Sequence, residues 1–374
     1  MTTQLGLPSL RGGTSRDPSR PADPRLVDGF GRVATDLRIS LTDRCNLRCT
    51  YCMPAEGLDW MPRSEQLTDA ELNRLIALAV RDLGVEELRF TGGEPLLRKG
   101  LEDIFAAASA LEPRPDISLT TNGIGLARRA EALAAAGVNR LNVSMDTLRP
   151  ERFAQITRRD RLSDVIDGMA AAQAAGLAPV KINAVLLRGV NDDEAADLLE
   201  FALAHGYQLR FIEQMPLDAQ HGWRRTEMIT ADEILARLEE RFVLTPSDED
   251  RGGAPAEKFV VESRLDGTSI GTESRLDGTS IGTAGGPATV GVIASVTRPF
   301  CGACDRTRLT ADGQVRTCLF ATGETDLRAM LRGGATDAEI ADVWRDAMWG
   351  KKAGHGIDDP GFLQPARPMS AIGG

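Results

Sequence analysis

Leu37-Arg38-Ile39-Ser40-Leu41 runs straight into Thr42-Asp43-Arg44-Cys45-Asn46-Leu47-Arg48-Cys49-Thr50-Tyr51-Cys52, and this stretch decides how the rest of the chain is read. The first five residues have the composition of a strand, so Cys45, Cys49 and Cys52 fall in the loop at its C-terminal end. Three thiolates this close converge on one centre and leave one coordination position open. For a [4Fe–4S] cube, the protein then holds three irons and the fourth is free for an outside ligand. Three cysteines cannot all pair with one another as disulfides, and a structural zinc wants a fourth Cys or His nearby, which is missing. Inert buried thiols have no reason to share this spacing.

Working outward, a second strand over 87–91 closes on Thr91-Gly92-Gly93-Glu94-Pro95. Two glycines let the backbone approach a ligand, and Glu94 can accept from an ammonium group; alone, the motif reads equally as a strand-to-helix turn. Further β-rich runs at 117–121, 140–144, 180–187 and 209–213 alternate with helical patterns over 69–83, 127–136, 162–175 and 193–204. Gly84, Gly137, Gly176 and Gly206 stop those patterns, as expected just past a helix C-terminus. Strand–helix alternation means βαβ units and a parallel sheet. Six units cannot close an eightfold barrel, so the expected fold is α/β, an open six-unit parallel β/α barrel with its functional edge at the strands' C-terminal ends.

The 374 residues are 42% hydrophobic and 26% charged, a globular balance that excludes a wholly disordered chain. A net charge of -10 argues against a general nucleic-acid or anionic-membrane partner. No apolar run is long enough to span a membrane and the Pro-punctuated start lacks a signal-peptide core, which places the chain in the cytoplasm. The three His residues are scattered, which disfavours a His-based metal site or triad. Residues 1–28 read as a mobile leader, 29–244 as the barrel and 245–374 as a C-terminal region. Residues 245–287 look loop-like and hold a tandem copy: ESRLDGTSIGT at 262–272 recurs at 273–283. Loop-closure entropy rises slowly with length, so the copy reads as a lengthened surface loop. A strand-rich run at 289–296, helical patterns at 325–331 and 337–349, and a tail ending Gly373-Gly374 complete the chain.

Cys301, Cys304 and Cys318 form a second group of three. The residues between read as a hairpin, 307–310 and 314–317 about a turn at 311–313, which folds Cys318 back toward Cys304. The same pleat puts Arg306 and Arg308 on one face. Two guanidinium groups beside an open iron suit an anionic substrate with an extra donor atom. A zinc ribbon, a purely structural cluster and a solvated hairpin face are the alternatives.

With these residues in hand, the chain resembles the radical S-adenosylmethionine (SAM) enzymes, whose Cys-x3-Cys-x2-Cys loop carries an aromatic residue, here Tyr51, before the third Cys. The two three-Cys groups, with Arg306-Thr307-Arg308 beside the second, resemble the two-cluster branch that acts on GTP in molybdenum-cofactor biosynthesis. The resemblance runs from about residue 26 to 374, through 42–49, 52–54, 120–123, 142–146, 210–213, 300–309 and the terminal Gly-Gly. It implies one [4Fe–4S] cluster on Cys45, Cys49 and Cys52 and another on Cys301, Cys304 and Cys318. It also implies a lyase activity. One electron cleaves SAM at the first cluster to a 5′-deoxyadenosyl radical, which takes hydrogen from C3′ of the GTP ribose. The C3′ radical then attacks C8, and one more electron, with a proton, gives (8S)-3′,8-cyclo-7,8-dihydroguanosine 5′-triphosphate, while the second cluster binds the guanine edge.

By the same resemblance, Tyr51, Gly93, Ser144 and Met215 match SAM contacts. Arg38, Arg89, Thr120, Lys181, Arg306, Thr307 and Arg308 match GTP contacts, with Arg306 and Arg308 in the catalytic role. The tail glycines would insert into the active site, an electron donor such as flavodoxin or ferredoxin would serve it, and the assembly would be a homodimer. Physically, Arg38, Arg89 and Lys181 on strands need an anion, either a triphosphate or Glu94, Asp146 and Glu213. Ser144 and Thr120 read equally as strand caps, and Met215 as core packing. Glu86 and Glu87 stand where relatives carry Lys, and Asp305 where Asn is common, a change beside the second cluster. A peptide-modifying radical SAM enzyme and a zinc-bearing scaffold are the competing activities.

Overall fold

Period-two alternation builds the centre of the molecule. The computed structural model describes residues 17–263 and 287–373, so the start of the leader, most of the tandem copy and Gly374 lie outside the described residues. β1 (Asp36–Ser40), β2 (Glu87–Thr91), β3 (Asp116–Thr121), β4 (Arg140–Ser144), β5 (Val180–Ala184) and β6 (Gln208–Ile212) lie parallel and in sequence order. One set of side chains, among them Leu37, Ile39, Phe90, Leu119, Ile182 and Phe211, is fully buried in the main core. The alternate set, on the opposite face, carries Arg38, Arg89, Ser118, Asn142, Lys181 and Arg210. A parallel sheet this polar on one face is lining a site, since both its faces are normally apolar.

The open barrel extends beyond six units. After β7 (Phe242–Pro246) and β8 (Glu257–Ser263), β9 (Thr289–Ile293) joins β6 in parallel, and β10 (Arg306–Leu309) joins β1 in parallel. Antiparallel strands finish both edges, β8 and β7 beyond β9, and β11 (Gln314–Arg316) and β12 (Thr325–Asp326) beyond β10, giving one 12-stranded sheet that does not close. The crossovers carry α1 (Asp69–Asp82), α2 (Leu101–Ser109), α3 (Ala130–Ala135), α4 (Pro150–Thr157), α5 (Leu162–Ala174) and α6 (Ala195–Ala204), and α7 (Ala231–Glu239), α8 (Leu327–Arg332), α9 (Asp337–Trp349) and α10 (Met369–Ile372) follow. α1, α7 and α9 each start on a reciprocal capping box, Thr68 with Glu71, Thr230 with Glu233 and Thr336 with Glu339. No helix of the described residues is long and apolar enough to cross a membrane.

Two expectations need correction. The loop-like reading of 245–287 hides β8, where Phe259 and Val261 alternate into the core while Gly-, Ser- and Asp-rich neighbours mask the pattern. The leader is packed from Arg20 onward: Leu26 is fully buried, and Arg20 is buried against Asp342 and Asp346. A lone arginine among prolines gives no local sign of carboxylates on a distant helix.

Candidate active site

The first cysteine loop leaves β1 and is held from three sides. Arg48 N–H bonds the Thr157 carbonyl, and the Arg158 guanidinium donates to the carbonyls of Arg48 and Met53, 2.7 and 3.1 Å. The Tyr51 hydroxyl donates to Asp146 Oδ2 at 2.8 Å, and Val185 N–H donates to Oδ1. Gly92 and Gly93 bring the next strand's turn against this loop. A Cβ at Gly92 would lie 2.5 Å from the Thr42 carbonyl oxygen, and one at Gly93 2.4 Å from those of Asp43 and Arg44. The glycines therefore serve chain against chain, where sequence reasoning had a ligand in view.

Glu94 is equally engaged. It accepts from Thr121 Oγ1 at 2.7 Å, Leu96 N at 2.9 Å and Asn122 N at 2.7 Å, and Asn122 Nδ2 reaches Cys45 Sγ at 3.8 Å. Burial, opposed by these bonds, pushes Glu94 up to about 7. Burial likewise lifts Cys45 to about 11 and Cys52 to about 12, and raises Cys49 well above its ordinary value; Glu94, Asp218 and Asp146 each add to one of these shifts. Three soft sulfur donors forced together, with Arg48 the cation beside Cys45, fit a positively charged iron centre that would bind them as thiolates.

Between the cysteine groups lies a row of cations. Arg308, Arg38 and Arg89 are lateral neighbours on β10, β1 and β2. Asp36 is their near carboxylate, 3.6 Å from Arg38 and 3.8 Å from Arg89. Glu94, Asp146 and Glu213, the partners weighed from sequence, are committed elsewhere; Glu213 accepts from Ala231, Val296 and Thr297 N–H. Arg38 Nε and Nη2, Arg89 Nε, Arg210 Nε and Arg306 Nε are buried with no hydrogen-bond partner. Burial and neighbouring guanidiniums push Lys181 down to about 8 and Arg210 to about 9. Arg210 was missed in the sequence. It donates to Asn142 Oδ1, and Gly291 on β9 makes room for it, since a Cβ there would lie 2.9 Å from Arg210 Cγ. Thr120 and Lys181 flank Asn142 in register, and Ser144 sits one pleat further toward the first cysteine loop.

The second group closes the other end. Cys304 precedes β10 and Cys318 follows β11; with Cys301, Met215, Arg306, Arg308, Phe320 and His355 they line an open cavity. Asp36 N–H bonds the Asp305 carbonyl at 3.1 Å, so this group lies where β1 begins and the first group lies beyond where β1 ends. One five-residue strand, about 17 Å at 3.3 Å per residue, separates them. Burial opposes ionisation of Cys304, but Arg306 and Lys351 outweigh it and lower its pKa. Three sulfurs facing cations suit a cluster as the first group does.

Arg306 and Arg308 are buried, so a solvated hairpin face is excluded. Thr307 is not with them: its hydroxyl accepts from Trp344 Nε1 of α9 at 3.1 Å, on the opposite face, which leaves its backbone for any ligand contact. The tail enters here too: Arg308 Nη1 donates to the Gly373 carbonyl at 2.5 Å, and Ser370 N–H donates to the Cys52 sulfur. Glu87 pairs with Arg140 at 2.8 Å, and Asp305 lies 3.5 Å from Arg306 Nε.

Residues 39–202 match the model of the Radical SAM superfamily, and 207–357 that of Molybdenum Cofactor Synthesis C. A protein of Streptomyces coelicolor named GTP 3′,8-cyclase is 64% identical over 96% of this chain and 99% of its own length. This chain belongs to the GTP 3′,8-cyclase family. A GTP 3′,8-cyclase of Mycolicibacterium smegmatis is 59% identical over 100% of this chain and 99% of its own. Among solved structures, Streptococcus suis SuiB bound to S-adenosylmethionine aligns at 18% identity with a TM-score of 0.43, over 56% of this chain and 47% of that one. Membership of the GTP 3′,8-cyclase family sets aside the peptide-modifying and zinc-scaffold alternatives.

Proposed function

We infer that the chain is a radical SAM GTP 3′,8-cyclase, a lyase that converts GTP to (8S)-3′,8-cyclo-7,8-dihydroguanosine 5′-triphosphate, the first step toward molybdopterin. The observation that carries the residue assignments is one sheet face, with a thiol triad beyond each end of β1 and guanidinium nitrogens without hydrogen-bond partners between.

Cys45, Cys49 and Cys52 would hold the first cluster and Cys301, Cys304 and Cys318 the second. Together with SAM, the first cluster supplies when bound the carbon radical that takes hydrogen from the ribose, and the second offers an open iron to guanine. Arg38, Arg89, Lys181 and Arg210 bind the triphosphate: Arg38 and Arg89 share Asp36, and buried nitrogens of Arg38, Arg89 and Arg210 have no hydrogen-bond partner among the described residues. Arg306 and Arg308 hold the base end. Burial and their charge fix the purine against the ribose, which is the positioning on which ring closure depends. Tyr51, locked by Asp146, the Gly93 turn, Ser144 and Met215 frame SAM at the first loop, and Thr120 and the Thr307 backbone flank the nucleotide. Low-potential electrons come from a donor such as flavodoxin or ferredoxin, and the working form is a cytoplasmic homodimer.

The deciding experiment is an anaerobic assay of reconstituted protein with GTP, SAM and dithionite, following 5′-deoxyadenosine and the cyclised nucleotide. Cys52→Ala abolishes both products. Arg308→Ala and Cys318→Ala keep uncoupled SAM cleavage while cyclisation falls at least a hundredfold; the reverse pattern would overturn the division of labour between the two ends.

A further inference from the structure

Lys351 is buried directly behind the second cysteine group, 4% exposed, one residue past the C-cap of α9. Its three N–H bonds reach the Arg306 carbonyl at 2.9 Å, the Cys304 carbonyl at 3.0 Å and the Cys304 sulfur at 3.4 Å. An ammonium has three donors, so this set is complete and includes no carboxylate. The neighbouring backbone wraps the same loop: Arg32 bridges the Lys352 and Cys301 carbonyls, and a Cβ at Gly354 would lie 3.8 Å from Cys301 Cβ. The two cysteine groups differ in charge. Glu94, Asp146 and Asp218 lie by the first thiols, with Arg48 the cation there, whereas Arg306, Arg308 and Lys351 surround the second.

We propose that Lys351 is a positioning residue of the second cluster: it fixes the Cys304 thiolate and, through its charge and N–H···S bond, makes that cluster more easily reduced than the first. Reduction adds one negative charge to a cluster, and a fixed cation with a hydrogen bond to a ligand sulfur stabilises that charge. The proposal rests on the assignment of the second cluster to Cys301, Cys304 and Cys318. Iron and sulfide counts on the wild-type chain test that assignment separately, by about eight irons per chain.

The experiment is an EPR-monitored dithionite titration of reconstituted full-length protein. SAM perturbs the signal of the first cluster and so marks it. Lys351→Met is expected to lower the midpoint potential of the second cluster while the first is unmoved, and Lys351→Arg to restore most of the difference. An unchanged potential in K351M overturns the proposal, as does a K351R potential as low as that of K351M. Should K351M fail to retain its second cluster, Lys351→Gln, which keeps donors for the carbonyls without the charge, is judged against K351R by the same two criteria.

Discussion

Glu94 shows how one residue organises the first loop. Its carboxylate joins the β2 turn to Thr121 and Asn122, and Asn122 touches Cys45. Because its folded value of about 7 lies above the ordinary 4.5, the native state binds the extra proton. Stability of the ligand-free protein therefore falls as pH rises from 4.5 to 7, by about 3 kcal/mol from this group. Melting temperature against pH reads the slope, and Glu94→Gln removes it. Lys181 takes up its proton on ligand binding rather than on folding. Free, it titrates near 8; beside a triphosphate its ammonium form is favoured, so GTP binding near pH 8 takes up a proton. Calorimetry in two buffers of different ionisation heat measures that uptake, and Lys181→Met abolishes it. At this scale the cysteines and the shared face of the RxR arginines were legible because residue type and spacing carry them, whereas Tyr51 was singled out by the family resemblance alone. Asp36 and Lys351 were not, since a lone charge on a strand or past a helix reveals its partner only once the sheet is assembled.

Among the elements, β10 and its buttress α9 matter most. Trp344 is fully buried and holds Thr307 from behind, while Arg306 and Arg308 face forward. Trp344→Ala should cost about 3–5 kcal/mol, read by urea denaturation, and should loosen the arginines, raising KM for GTP more than it changes SAM cleavage. The β10–β11 hairpin was visible from its turn and alternation, and so were the six strands of the barrel. The face of Thr307 followed from the same alternation that placed the arginines, but the family resemblance drew it toward the substrate. β8 was hidden because only its apolar centre departs from a polar, glycine-rich stretch.

For the molecule as a whole, the tail is a structural member. Arg367 pairs with Asp312 at 2.7 and 2.9 Å and with Glu324 at 3.0 Å, while Gln364 and Met369 bond the backbone at Asp218 and Leu217. Charge-assisted bonds of this kind contribute about 1.5–3 kcal/mol, so Arg367→Ala should speed carboxypeptidase release of the C-terminus by tenfold or more. Cyclisation should weaken in parallel, because Arg308 loses its Gly373 carbonyl. The βαβ rhythm made the open barrel predictable. That its first strand would be flanked by β10 could not be read locally, because the pairing of Asp36 with Arg306 joins the chain's beginning to its end. This pairing has a consequence for biogenesis. A ribosome must extrude nearly the whole polypeptide before the reaction chamber acquires its second wall. Iron delivery to that wall is thereby deferred until synthesis is all but finished, and a prematurely terminated product can carry at most the SAM-cleaving half of the machine.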